Sequence, residues 1–231
     1  MKIAGIVAEY NPFHTGHAYQ IACTRAQLGE DCAVAAVMSG HWVQGGRPAI
    51  ADKWTRTKLA LLGGADLVLE LPTVWAVSSA ETFARGAVEL LAAAQVVDVL
   101  SFGSECGDAD KLRRAAICLN SPEYEAGLRR FVEGGTPFAA ARQRAVEGLL
   151  GPELAELLSS PNNNLGVEYI RALDRLNHDI RPMTIRREGA PHDSLLLGTE
   201  RPRFCSATQL RAYLGREDWT ALEPYLLSLI H

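Results

Sequence analysis

The stretch Val7-Ala8-Glu9-Tyr10-Asn11-Pro12-Phe13-His14-Thr15-Gly16-His17 holds the residues of this chain best suited to chemistry. Two histidines flank a Thr-Gly pair where an apolar run, Ile3–Ala8, gives way to a helical run from about Thr15 to Leu28. A helix N-terminus offers unpaired N–H groups and a partial positive charge, so it is a natural seat for a phosphate. Gly16 leaves room for a ligand to approach the backbone closely. His14 and His17 are three residues apart and fall on one side of a helical turn. Two imidazoles there can donate hydrogen bonds to phosphate oxygens and stabilise charge that builds up during displacement. The ordinary alternative is one core histidine and one surface histidine beside a turn. His-x-Gly-His directly after an N-terminal strand argues against it.

These groups need elements to hold them. Apolar runs at Ile3–Ala8, Ala33–Ser39, 66–71 and 97–102 predict four strands. Helices are expected after Gly16, over 52–62 and over 79–94. The strands are continuously apolar, not alternating, so the expectation is a parallel sheet covered on both faces, with right-handed crossovers. Ligands of such sheets sit beyond the carboxyl ends of the strands. His14, Ser39-Gly40 and Gly103-Ser104 all follow strand ends, so three segments point at one crevice.

The pattern from Asp108 to about Ser159 is helical, with a break at Gly134-Gly135-Thr136-Pro137. Arg113, Arg114, Arg129, Arg130, Arg142 and Arg144 within it read as a solvated face, or more sharply as a docking surface for an RNA backbone. Asn162-Asn163-Asn164-Leu165-Gly166 opens a helix over 167–176 that Ser160 or Asn162 can cap. Residues 178–186 form the last strand, with Pro182 near an edge or bulge. Residues 187–203 read as loop, and Ser206-Ala207-Thr208 begins another helix. The expected fold is α/β: a Rossmann-like parallel sheet over 1–107 and 160–215, a helical insertion over 108–159, and the start of a C-terminal helical region over 216–231.

His14-Thr15-Gly16-His17 resembles the HxGH signature of the HIGH superfamily of nucleotidyltransferases, which bind ATP on a Rossmann-like sheet and direct attack onto its α-phosphate. The longer string from Ala8 to His17 resembles the tRNA(Met) cytidine acetate ligase family. Further matches follow in order at Val37-Met38-Ser39-Gly40, Val43-Gln44, Pro48-Ala49-Ile50, Asp52-Lys53-Trp54-Thr55-Arg56, Gly64-Ala65-Asp66-Leu67-Val68-Leu69-Glu70-Leu71-Pro72, Phe102-Gly103-Ser104-Glu105, Ser160-Pro161-Asn162-Asn163 and Ser206-Ala207-Thr208. They span nearly the whole chain.

The resemblance implies that His14 and His17 are catalytic and that ATP contacts run from Val7 to Gln20, including Ala18, Tyr19 and Gln20. It adds Gly103, whose ordinary reading is a tight turn; Asn162, which a helix cap would also explain; and Arg187, with neighbouring Arg186 able to exchange roles. Arg187 would offer phosphate a planar donor fork. Ser206-Ala207-Thr208-Gln209-Leu210-Arg211 looks like the degenerate second signature of HIGH enzymes, where a helix start closes over the phosphates. Ser206, Thr208 and Arg211 are its phosphate candidates, although Ser206 alone is an N-cap type. Lys53 and Arg56, a turn apart, are candidates for substrate or the tRNA end, with solvent exposure as the alternative.

The activity implied is an ATP-dependent ligase. Acetate becomes acetyl-adenylate, and the acetyl group passes to N4 of the wobble cytidine of elongator tRNA(Met), with Mg²⁺ arriving on the ATP. Adenylation of a small phosphorylated acceptor, or a non-catalytic ATP- or RNA-binding module, are the competing classes. The loop Gln44-Gly45-Gly46-Arg47-Pro48 departs from the family pattern in its displaced basic residue. Gly189-Ala190-Pro191-His192-Asp193 lacks the tyrosine usual before His-Asp.

Composition sets the outer bounds. The chain has 231 residues, 48% of them hydrophobic, enough to bury a substantial core. A net charge of −4 gives no global basic footprint for nucleic acid, though a local one is compatible with it. Five scattered cysteines without Cys-x-x-Cys disfavour a zinc ribbon, and their odd number, with no secretory leader, suggests a cytoplasmic protein. No apolar run approaches the ~20 residues of a membrane span.

Overall fold

The computed structural model describes residues 1–176, 178–187 and 204–226. The expected loop with its His192-Asp193 pair and the last five residues lie outside them. The element order is β1 (Ile3–Ala8), α1 (Thr15–Leu28), β2 (Ala33–Ser39), β3 (Trp42–Val43), β4 (Arg47–Pro48), α2 (Lys53–Leu62), β5 (Leu67–Leu71), α3 (Thr73–Ala76) and α4 (Ala80–Ala93). It continues with β6 (Val99–Ser104), α5 (Ala109–Leu119), α6 (Pro122–Glu133), α7 (Phe138–Leu150), α8 (Pro152–Glu156), a 3₁₀ turn (Leu157–Ser159), α9 (Pro161–Leu176), β7 (Arg181–Arg186), α10 (Ala207–Gly215) and α11 (Trp219–Leu222).

Five strands form one parallel sheet in the order β5-β2-β1-β6-β7, and β3 and β4 make a separate antiparallel hairpin. The chain builds outward from β1 to β5, then returns to β6 on the other side of β1. The β1/β6 boundary is therefore the topological switch point, where ligands of such sheets collect. Both faces are covered. On one side Ile6, Val34, Ala36 and Met38 pack with Ile21 of α1 and Ala60 of α2. On the other, Val37, Leu100 and Phe102 pack with α4, α5 and α9 in a larger cluster that also takes in Tyr124, Ala145, Val146 and Ala155. The helices between β6 and α9 thus share the sheet's own core. α9 lies tight on β6 because Gly166 has no side chain: a Cβ there would come within 2.6 Å of the Phe102 ring.

Side chains on the sheet alternate as the pleat requires. Val7 packs toward the α4/α9 side and Ala8 toward the α1/α2 side. Helix ends follow local chemistry. The Asp52 carboxylate accepts from the N–H groups of Trp54 (2.8 Å) and Thr55 (3.0 Å) at the start of α2, and Ser121 caps α6 with Pro122 at its first position.

Three elements depart from the expected bounds, β7 among them, which begins at Arg181 and not at 178. β6 begins and ends two residues later than expected, because its last residues Gly103 and Ser104 pair with Ile185 and Arg186 of β7. Ser104 and Thr184 hydroxyls lie 2.6 Å apart across that ladder. Helix α9 starts at Pro161, so the asparagine run is its first turn and not a lead-in. β7 is an edge strand and accommodates Pro182. Among the described residues no helix is long and apolar enough to cross a membrane.

Candidate active site

A crevice opens over the carboxyl edge of the sheet at the switch point. The β1–α1 junction forms its floor. Tyr10 has φ 47°, a left-handed conformation that bulky residues rarely adopt. Its ring is locked in the core, 4.8 Å from Phe13 and edge-on to His17 at 4.9 Å. His14 is the N-cap of α1. Its Nδ1 accepts from the Gly16 N–H (3.0 Å), and the His17 Nδ1 accepts from the His14 N–H (3.3 Å). The two rings stack with centroids 3.8 Å apart.

This arrangement fixes the tautomer. A neutral imidazole whose Nδ1 accepts carries its proton on Nε2, so the Nε2–H groups are the donors that the pair can offer the crevice. Burial, reinforced by the Arg187 charge, lowers the His14 pKa to about 3. Burial, His14 and Arg187 together hold His17 well below the ordinary histidine value. Both rings are neutral at pH 7.

The expected bare-amide cradle is corrected by this geometry. Among the first-turn N–H groups of α1, Thr15 donates to the Tyr225 carbonyl (2.9 Å), Gly16 to the His14 ring, and His17 (2.9 Å) and Ala18 (3.3 Å) to the His14 carbonyl. The imidazole edges therefore stand where free amides were expected. Gly16 also has a different reason for its size. A Cβ there would lie 2.9 Å from His14 Cε1, so the glycine admits the histidine ring, not a ligand.

The opposite wall comes from β6, β7 and α9. Gly103 sits inside β6 with no turn, and its missing side chain admits Arg187, whose Cγ would be 3.2 Å from a Cβ there. Arg187 lines the crevice, and surrounding protein lowers its pKa while the Glu105 charge opposes that shift. Arg186 reaches only the adjoining lobe, with Tyr19, Gly16 and Phe204. Asn162 is not a cap. Its backbone N–H (3.2 Å) and side-chain amide (2.7 Å) donate to Glu105 Oε1, and the Asn163 N–H donates to Oε2 (2.7 Å). Glu105 therefore caps α9 from outside and orients Asn162 toward the crevice, which Asn162 lines. The loop after β6 displayed this residue, but nothing in the sequence tied it to a helix more than fifty residues on.

Helix α10 closes the third side. Ser206 is its N-cap, reciprocated by Gln209, and Ser206, Ala207 and Arg211 line the crevice. Arg211 donates to the Asn11 carbonyl (2.8 Å) and to Thr208 Oγ1 (3.0 Å), so Thr208 acts through Arg211 and does not itself line the crevice. Asn11 in turn accepts from the Ile50 N–H at 2.7 Å.

A sequence profile described as HIGH Nucleotidyl Transferase matches residues 1–228. The chain belongs to the HIGH nucleotidyl transferase family. Among curated relatives of this HIGH chain, the tRNA(Met) cytidine acetate ligase of Thermoanaerobacter sp. (strain X514) is 43% identical over 98% of it, and that of Caldicellulosiruptor saccharolyticus is 45% identical over 91%. It covers 56% and 52% of those proteins, so the chain spans about half their length. The crystal structure of Thermotoga maritima TmcAL bound with alpha-thio ATP superposes with a TM-score of 0.87 at 38% identity, covering 98% of this chain and 53% of that one. The apo form of TmcAL gives 0.90.

Within the HIGH chain's motif span, Val7, Ala8, Glu9, Tyr10, Asn11, His14, His17 and Gln20 line the main crevice, and Gly16 and Tyr19 the adjoining lobe. Pro12, Phe13, Thr15 and Ala18 line neither; Phe13 is core. Two candidates do not line the crevice. Arg56 is fully buried, and its guanidinium donates to the carbonyls of Glu9, Gly40 and Ala51 (3.1 Å for the last). Lys53 pairs with Glu70 at 2.6 Å, away from the crevice. Ser39-Gly40 does not reach it either; Gly40 serves as the Arg56 acceptor. Arg142 of the helical region is not a freely solvated charge: it is partly buried and pairs with buried Glu168, which also holds Arg171 at 2.8 Å. The walls contributed by Gln44, Phe83, Phe102, Leu165 and Tyr169 escaped the sequence reading. Most of them carry core-type side chains at core spacing.

Proposed function

We propose that this chain binds ATP in the switch-point crevice and activates acetate as acetyl-adenylate, for transfer to N4 of the wobble cytidine of elongator tRNA(Met). The observation that carries this reading is the His14–His17 pair, each Nδ1 taken by a backbone N–H, lining one crevice with Arg187 and Arg211. An acetate oxygen attacks the α-phosphorus, the bond to the bridging oxygen breaks, and pyrophosphate leaves with the electron pair. Nε2–H donors and guanidinium groups stabilise charge on the phosphoryl oxygens as it shifts to the leaving group. In the second step the cytidine amine attacks the acyl carbon, and AMP departs. Asn162 and the Gly103 edge of β6 lie on the wall where the nucleoside would rest.

Among the described residues no group of three or more His, Cys, Asp or Glu side chains could hold a metal. Mg²⁺ enters this reading as the counter-ion of the triphosphate, and it supplies charge screening there. A cytoplasmic setting, with reduced thiols and tRNA at hand, is part of the same proposal. The relatives that carry the ligase name support the choice of acetate and cytidine over a phosphorylated acceptor. The test is exchange of labelled pyrophosphate into ATP by the intact chain. Acetate is expected to stimulate exchange, while pantetheine phosphate and nicotinamide mononucleotide do not. Exchange without any acetate dependence refutes the assignment.

A further inference from the structure

Helix α9 faces the crevice with Asn162, Leu165 and Tyr169, spaced by three and four residues along one side. Asn162 opens the row and is held by Glu105. Tyr169 lies about 10 Å farther along the axis, at ~1.5 Å per residue. There Val7, Phe83, Phe102 and Leu165 pack with Tyr169 in one apolar cluster, and all five line the crevice. The Tyr169 ring leans on Phe102 with centroids 5.6 Å apart.

The hydroxyl is what this packing leaves over. Tyr169 is only 3% exposed, and its hydroxyl has no hydrogen-bond partner among the described residues. The Tyr10 hydroxyl also lacks one, but it is sealed from solvent, whereas that of Tyr169 is not. The small opening at Tyr169 is therefore at its polar tip, on the crevice that the residue lines. Buried hydroxyls are ordinarily paired, so this one is open to a ligand. Burial, and after it the charge of Glu9, hold the phenol pKa far above its ordinary value, so it is a neutral donor at any working pH. Glu9 does not bar anions from the crevice: buried Arg56 answers its charge, and Arg187 and Arg211 line the same walls.

We infer that Tyr169 seats the acyl group: its hydroxyl donates to the acetate oxygen that does not attack, and the methyl group packs on Phe83, Phe102 and Leu165. The inference rests on the proposed acetate activation and gives the acid its place. A two-carbon carboxylate has one apolar part and one accepting part, and this wall matches both. The contact is kept through both steps. In the first, one acetate oxygen bonds to the α-phosphorus as the bridging P–O bond breaks, while Tyr169 holds the other. In the second, the amine nitrogen bonds to the acyl carbon, and the held carbonyl oxygen gathers negative charge that a fixed donor stabilises. The bond from the acyl carbon to the AMP oxygen then breaks, AMP takes the electron pair, and the amine proton passes to water.

Tyr169→Phe removes one oxygen atom with no described bond to lose, so the urea midpoint should not move. In acetate-dependent pyrophosphate exchange its KM for acetate should rise about tenfold or more, with the KM for ATP within about twofold of wild type. Acetyl transfer to cytidine should fall further than exchange, because the second step loses the donor too. A second measurement needs no turnover: broadening of ¹³C-labelled acetate signals by the intact chain carrying a non-hydrolysable ATP analogue and Mg²⁺. Wild type should broaden them and Tyr169→Phe should not. An unchanged acetate KM overturns the inference. So does a rise in the ATP KM alone, by placing the nucleotide against the hydroxyl, and so does equal broadening by the two proteins. If wild type shows no acetate-dependent exchange, the proposed activity falls, while broadening that needs the Tyr169 hydroxyl still upholds the acetate seat.

Discussion

Glu105 offers the sharpest test of how the site is held. Its two carboxylate oxygens accept three hydrogen bonds from the first turn of α9. Each is charge-assisted and contributes about 1.5–3 kcal/mol before discounting for partial exposure, against about 1 for a neutral bond. Glutamine would keep one acceptor and turn an NH₂ toward the Asn163 N–H, losing that bond outright. It would also remove a negative charge from a helix N-terminus, about 0.3–1 kcal/mol. The expected cost of Glu105→Gln is therefore ~2 kcal/mol. With a urea slope of about 2 kcal/mol/M, the unfolding midpoint should fall by roughly 1 M. Asn162 is bonded to this carboxylate and Arg187 feels its charge, so the loss of both effects should also weaken ATP binding. A 1.4 kcal/mol loss corresponds to about tenfold in Kd by calorimetry. Glu105→Asp, one methylene short, should fall between. An unchanged ATP Kd in a variant whose midpoint has dropped would refute the positioning role and leave Glu105 a helix cap only.

Other expectations follow from the same geometry. Arg56→Ala strands three carbonyls of the site's frame and should destabilise the chain by about 3 kcal/mol or more, read by urea unfolding; a cost below about 1 would contradict its clamp role. Gly16→Ala drives a methyl into the His14 ring and should lower ATP affinity at least tenfold by calorimetry, with helix α1 intact by circular dichroism. The His14 pKa is depressed from 6.5 to about 3 by folding, so the unfolded chain binds the extra proton between those values. Stability from this group is present above pH 6.5 and is lost as pH falls toward 3. The midpoint-against-pH curve of His14→Asn should accordingly be flatter over that window. Arg187→Ala removes a charge felt by both rings, and NMR titration should place both histidines higher than in wild type.

The backbone was far more legible than the site. β1, α1 and β2 fall where the apolar runs and the strand-to-helix change put them, because burial on both sheet faces leaves continuous signals. The misses mark tertiary control. Gly103 and Ser104 belong to β6 since β7 pairs with them, and no local pattern announces that partner. Three asparagines read as the lead-in to a helix, because asparagine favours turns and caps over helix interiors. They are helical because Pro161 suits a first position and Glu105 supplies the cap from another segment.

Side-chain contacts were hidden by the same route. A histidine is an unusual N-cap, and the sequence offered His14 as a phosphate donor while hiding that its Nδ1 occupies the Gly16 amide. Yet that cap is what makes the donor. With Nδ1 spent on the backbone in both rings, the remaining proton must sit on Nε2, and burial beside Arg187 keeps it a neutral donor at working pH. Arg56 shows the converse. One turn from Lys53 on an amphipathic helix it reads as surface charge, but the carbonyls of Glu9, Gly40 and Ala51 converge on a single interior point that only a guanidinium can satisfy at once. By fixing Glu9's backbone, this buried cation determines where the crevice's carboxylate can stand. The frame of the crevice is thus held by a residue that does not line it.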